Sequence, residues 1–285
     1  MDTILREANV EDARRLGDIF FDALGAIAQR HSFPVEFPSR EYARTAVTDM
    51  VGDDRFFGIV AERDRRVAGC AFLDERGVIV GVGPVVVDPS AQDAGIGRLM
   101  TEEALRRERT RGAAGVRLIQ ATYHVRSMGL YAKLGFEARE PLSVVHGTPR
   151  RVKVPGVSVR AATERDLDAC GHVCVQVHGH DRKQELLAAI AADTARVVER
   201  SDRISGYTTD LGYEGHAVGE GNDDIIALIS STDAFSGLGI RIPSTNSGLL
   251  RWCLQNGLKI AQQSILMTVG LYNDPQGAWI PSDRY

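Results

Sequence analysis

Two rhythms of apolar and polar residues alternate along this chain. Val82, Val85, Val86 and Val87 form a β-branched run bounded by Gly83-Pro84 and Pro89, which predicts a buried strand. A polar turn rich in glycine follows, and the rhythm then lengthens. Leu99, Met100, Glu103, Ala104, Leu105 and the arginines after them predict a helix from Arg98 to the residue before Gly112. Strands are predicted at Val67–Glu75 and Val116–Thr122, and two helices near the N-terminus joined by a loop at 31–39.

The pattern also repeats. Leu-Arg-Glu-Ala-Asn-Val-Glu-Asp at 5–12 returns as Val-Arg-Ala-Ala-Thr-Glu-Arg-Asp at 159–166, each a short strand running into a helix with Asn9 or Thr163 as candidate cap. Leu130–Phe136 is echoed by Trp252–Leu258. Two echoes in order predict two domains of one fold, over 1–147 and 157–285, with a linker at 148–156 that carries Pro149, Arg150, Arg151, Lys153 and Pro155. In the second copy, strand His216–Glu220 and helix Asp223–Ser231 are joined by Gly219-Glu220-Gly221-Asn222.

Composition narrows the class. A length of 285 residues favours two domains, and 44% hydrophobic with 25% charged residues supports packed cores in a soluble protein. A net charge of −4 argues against non-specific nucleic-acid binding. The polar N-terminus predicts no signal peptide, and no apolar run reaches membrane-spanning length. Cysteines at 70, 170, 174 and 253 form no disulfide framework, so a cytoplasmic setting is expected. Cys170, His172, Cys174, His178 and His180 are close enough to hold zinc, but Cys170, Cys174 and Val177 share a helical face, so no metal is expected.

The turn before the predicted helix carries the chemistry. N–H groups in the first turn of a helix lack internal partners, and glycines at 95 and 97 allow them to approach an anion. Neither a Walker loop nor the full dinucleotide fingerprint is present. Gln92-Asp93-Ala94-Gly95-Ile96-Gly97 resembles the acetyl-CoA loop of the GNAT N-acetyltransferases, and Leu130-Tyr131-Ala132-Lys133-Leu134-Gly135-Phe136-Glu137 resembles their companion helix ending at a glycine. The resemblance covers residues 3–145 well. It implies an α/β fold with a mixed sheet, here as tandem GNAT-like domains of the two-domain bacterial type.

The resemblance also implies roles. Acetyl-CoA would lie along Val85, Val86 and Val87, with its pyrophosphate on Gln92, Asp93, Ala94, Gly95, Ile96, Gly97 and Arg98. Arg98, Arg126 and Lys133 are candidates for the remaining phosphate or ordinary surface charges. Tyr131 would be the general acid for the leaving thiolate. His124 stands where many relatives carry an Asn; cofactor contact, base and helix cap all remain open for it. The Glu that relatives often place on the preceding strand is Gly83 here, leaving Glu75, Asp74, His124 and His31 as substitutes for the general base.

His31, Phe33, Glu36 and Phe37 are expected to form the acceptor pocket, for a small-molecule or peptide amine. In the second copy Cys253 replaces the Tyr, and Glu220 opposes an anion, so one active site is expected and the second domain is degenerate. The expected activity is acetyl transfer to a primary amine in a ternary complex. A non-catalytic acyl-CoA-binding regulator is the alternative, and a homodimer is left open.

Overall fold

The structure, a computed structural model, describes residues 2–283. In chain order the first half holds β1 (Thr3–Glu7), α1 (Ala13–Arg30), α2 (Arg40–Val51), β2 (Phe56–Arg63), β3 (Arg66–Asp74), β4 (Ile79–Val87), α3 (Ile96–Arg111), β5 (Gly115–Ala121), α4 (Val125–Lys133) and β6 (Glu137–His146). The second half repeats this order with β7 (Val157–Ala161), α5 (Leu167–His178), α6 (Lys183–Ala191), β8 (Arg196–Arg200), β9 (Arg203–Thr208), β10 (Ala217–Gly219), α7 (Asn222–Ser231), β11 (Ile240–Pro243), α8 (Ser247–Gln255) and β12 (Lys259–Gly270), and ends with β13 (Ala278–Ile280).

The repeat extends to side chains. Arg6 forks onto Asp12 at 2.7 Å and reaches Glu62 at 2.7 Å, while Asp12 closes a capping box with Asn9. Arg160 makes the same pairs with Asp166 and Glu199, both at 2.8 Å, and Asp166 accepts from the Thr163 N–H. Bidentate pairs of this kind fix the angle at which a strand enters its helix.

Two compact units result, and each includes a strand segment from the other half of the sequence. The first comprises residues 2–138 with Met267–Leu271, and the second Arg139–Leu266 with Tyr272–Asp283. The first unit orders its sheet β1-β2-β3-β4-β5, and the end of β12 lies beside β5. There the Leu271 N–H donates to the Ala114 carbonyl at 2.9 Å. In the second unit β6 pairs antiparallel with β11, and a separate sheet runs β13-β10-β9-β8-β7. The units therefore do not follow the linear division at 148–156 drawn from the sequence.

One core cluster of the first unit lies between its sheet and helices α1 and α2, while α3 buries Ile96, Met100 and Ala104. Leu16, Ile19, Phe20 and Ala23 recur at helical spacing on α1 and are buried against Val47 of α2 and Phe72 and Val86 of the sheet. Elsewhere the predicted elements hold to within two residues, except that β4 begins at Ile79, three positions before Val82. α3 begins two positions earlier than predicted because Gly95 already adopts φ of +78° as its cap. It ends at Gly112, with φ of +75°.

Candidate acyl-CoA site

The site begins where two strands part. β4 pairs in parallel with β5 only at Ile79, Val80 and Gly81. Its pairing with β3 then shifts register, with Val85 opposite Ala71 but Val82 opposite Leu73, so Gly83 and Pro84 form a bulge. Beyond the bulge β4 stays bonded to β3, while no pairing with β5 continues.

The direction of the β4 amides follows from parity. The Asp88 N–H donates to the Ala68 carbonyl on β3 at 2.8 Å. Successive residues of a strand present their N–H groups to opposite sides, so those of Val85 and Val87 face away from β3. The Val87 carbonyl likewise receives the Gln92 side chain at 3.3 Å.

The strand then runs through Asp88, whose carboxylate accepts from the Ser90 N–H at 2.8 Å, into a turn. Asp93 takes φ of +67° and Gly95 +78°. No side chain caps α3, and its first turn contains no acidic residue. Uncapped N–H groups and the helix dipole therefore present positive potential there.

These parts line one cleft of about 350 Å³. Val85, Val86, Val87, Gln92, Asp93, Gly95, Ile96, Gly97 and Arg98 form one side, and Ala23, Leu24 and Ile27 of α1 contribute an apolar wall. His124, Arg126, Ser127, Leu130 and Tyr131 form the other side. Of the residues expected to bind the cofactor, Ala94 alone does not line it.

Tyr131 is 8% exposed, packs edge-on against Phe136 at 5.7 Å, and has its pKa pushed up to about 12 by burial. It remains a neutral phenol throughout the neutral range. His124 is half-buried, and its Nδ1 lies 2.6 Å from the Ser127 Oγ. Burial, and next the charge of Arg126, lower its pKa below the ordinary histidine value, so its ring is neutral at pH 7. Arg126 is ion-paired with Asp93, and Arg98 with Glu102 at 2.8 Å. Lys133 does not line the cleft.

Other expected residues lie elsewhere. Glu75 is not part of the cleft lining; its carboxylate is held by Arg107 at 2.6 Å and Arg111 at 3.0 Å. Burial pulls its pKa up, but hydrogen bonds from Arg107 and Glu108, followed by the charges of Arg107 and Arg111, outweigh this and hold it below the ordinary value. Asp74 is bound by Arg76. Phe37 is buried in the α1–α2 core against Phe20, with ring centroids 6.0 Å apart. Phe33 stacks on Tyr123 at 4.5 Å, with His31 at 5.1 Å from the same ring. The Glu36 carboxylate, after burial, helps hold the Tyr123 phenol up. Sequence reasoning missed Ser127 and Tyr123, although Ser127 stands three residues after His124 and four before Tyr131, the spacing of one helical face.

The second unit closes the corresponding turn. The Asp224 carboxylate accepts from the Gly221 N–H at 3.1 Å and the Ser205 hydroxyl at 2.8 Å, so an acid occupies the start of α7. Glu220, the acid singled out from sequence, is engaged by Arg203. Cys253 is fully buried, with its pKa pushed up to about 12. Among the described residues no group of His, Cys, Asp or Glu is arranged to hold a metal ion, and no helix is long and apolar enough to cross a membrane.

A family model described as an acetyltransferase (GNAT) domain matches residues 53–138, which span β3, the glycine turn, α3 and α4. Over that segment the chain is similar to GNAT acetyltransferase domains. Two solved structures resemble almost the whole chain in fold. A Pyrococcus horikoshii protein provisionally described as an acetyltransferase is 19% identical, covers 99% of this chain and 92% of its own, and superposes with a TM-score of 0.72. A GCN5-related N-acetyltransferase from Sphaerobacter thermophilus is 15% identical, covers 95% of this chain and 96% of its own, with a TM-score of 0.63. No curated protein sequence matches the chain significantly. The GNAT domain thus supplies the fold for acyl transfer from acetyl-CoA.

Proposed function

We propose that the GNAT domain transfers an acetyl group from acetyl-CoA directly to a primary amine, with both substrates bound together. One observation carries this reading: the uncapped start of α3, the outward amides of β4 and the Tyr131 phenol all meet in one cleft. The pyrophosphate would rest on the N–H groups of the 92–98 turn, and the pantetheine arm on Val85 and Val87. Positioning the amine against the thioester would supply much of the acceleration.

The same β4 amides would stabilise the oxygen as the amine adds to the carbonyl carbon. A C–N bond forms, the C–S bond breaks, and the thiolate departs. A thiol has a pKa near 8–9, well below the Tyr131 value of about 12. Tyr131 therefore serves by donating a hydrogen bond to the departing sulfur, and keeps its proton. With Glu75 tied to two arginines, His124 is the residue placed to take the proton from nitrogen. The acceptor is a small-molecule or peptide amine approaching from the side of His31, Phe33 and Glu36.

Calorimetry with coenzyme A should give one site per chain, since Asp224 obstructs the second unit. Acetyl-CoA with a panel of amines should release free thiol, and Tyr131→Phe should lower kcat by about 10- to 100-fold while coenzyme A affinity holds. Binding without turnover on any amine would favour a non-catalytic acyl-CoA regulator. Absence of binding would overturn both readings.

A further inference from the structure

The cleft lining contains one titratable side chain suited to receive a proton near neutral pH. Asp93 is committed to Arg126, Arg98 to Glu102, and Tyr131 stays protonated. Only His124 remains among the described lining residues. An imidazole accepts at one nitrogen only if the other carries the hydrogen, so its usefulness depends on tautomer. Ser127 Oγ, 2.6 Å from Nδ1, is the group in contact with that second nitrogen.

We propose, building on the acetyl-transfer reading, that Ser127 is a positioning residue that selects the reactive tautomer of His124. Its oxygen accepts the Nδ1 proton, so Nε2 presents a lone pair to the attacking amine. The step balances simply: the nitrogen loses one proton to Nε2, the imidazolium keeps both hydrogens, and the Nδ1–H bond to Ser127 strengthens as charge develops. The pair thereby substitutes for the carboxylate that Gly83 cannot supply.

The charged and titratable groups around His124 are consistent with a neutral resting ring. Arg126 follows on α4, itself paired with Asp93 of the glycine turn, and Arg30 and His31 approach from the end of α1. Tyr123 precedes it, its phenol held up by burial and by Glu36. The cations favour the uncharged imidazole, ready to accept.

Two measurements decide the matter. Long-range nitrogen–proton spectra of the labelled full chain, with the His124 signals assigned by their loss in His124→Gln, should show the hydrogen on Nδ1 in the wild type. They should show a shift toward Nε2–H in Ser127→Ala. In steady-state assays kcat should rise with pH through an inflection below the ordinary histidine value. Ser127→Ala should lower the plateau about fivefold without changing the KM for acetyl-CoA, and Ser127→Thr should restore it. A wild-type ring protonated on Nε2 would overturn the proposal whether or not turnover is found. So would an unaltered pH profile in Ser127→Ala, or a mass spectrum showing acetyl carried on Ser127. Failure of every amine to react would instead count against acetyl transfer itself.

Discussion

Gly95 shows how one backbone angle prepares the site. Its φ of +78° turns the chain into α3, and an L-side chain in that region costs on the order of 1–2 kcal/mol. Gly97 differs. A Cβ there would meet Val87 Cγ2 at 3.7 Å and Leu130 Cδ2 at 3.9 Å, ordinary contacts. Gly95→Ala should therefore lower the Tm by several degrees and weaken coenzyme A binding roughly tenfold, whereas Gly97→Ala should leave the Tm within about a degree. Thermal scans and calorimetry on both variants check this. Among single residues, the glycine turn was legible because its spacing is local, while Tyr131, which lines the cleft, was singled out by the resemblance of its segment. The fate of Glu75 was not, since its partners lie more than thirty positions away on α3.

At the scale of elements, α3 has two different ends. Its first turn is left open, while near its last turn Glu108 is buried, 1% exposed, beside the Glu75 carboxylate. Burial first, and then Glu75, push Glu108 up to about 7, against the lowering effect of Arg111 and Arg107. A carboxyl raised by folding contributes stability fully below its unfolded pKa, near 4.5, and loses that contribution as pH rises through the folded value. Glu108→Gln keeps a hydrogen for Glu75 and removes the titration. Its Tm should match wild type at pH 4.5 and exceed it by about 5 °C at pH 8.5, measured by calorimetric scans. An equal effect at both pH values would refute this account. The opposite device operates in the second unit, where Asp224 fills the start of α7. Sequence placed both turns but assigned the obstruction to Glu220, because capping distances depend on the closed turn.

For the whole molecule, the repeat in sequence and the division into units are different facts. Element order repeats faithfully, and the Arg6–Asp12 and Arg160–Asp166 pairs recur at matching positions. Yet the end of β12 completes the first unit beside β5, and β6 belongs with β11 in the second. A chain ending at residue 147 would leave the β5 edge without that strand, and exposed edges aggregate. Such a fragment should elute as aggregate in size-exclusion chromatography and exchange its β5 amides rapidly. A monodisperse fragment that binds coenzyme A with full affinity would show that the strand is dispensable.

Strand and helix periods and the glycine turn were determined by the sequence itself, because each depends on backbone preferences and side-chain spacing within a few residues, and the repeat of elements was announced by similar segments recurring far along the chain. The splay of β4 was foreshadowed by Gly81, Gly83 and Pro84 within one strand, and the strand pairing bears it out only in the fold. Tertiary structure alone decided that Glu75 is bound by arginines, and that β6 and β12 contribute across the two halves. Those outcomes turn on which of many distant hydrogen-bonding and charged groups come into range, and only the folded chain sets that distance.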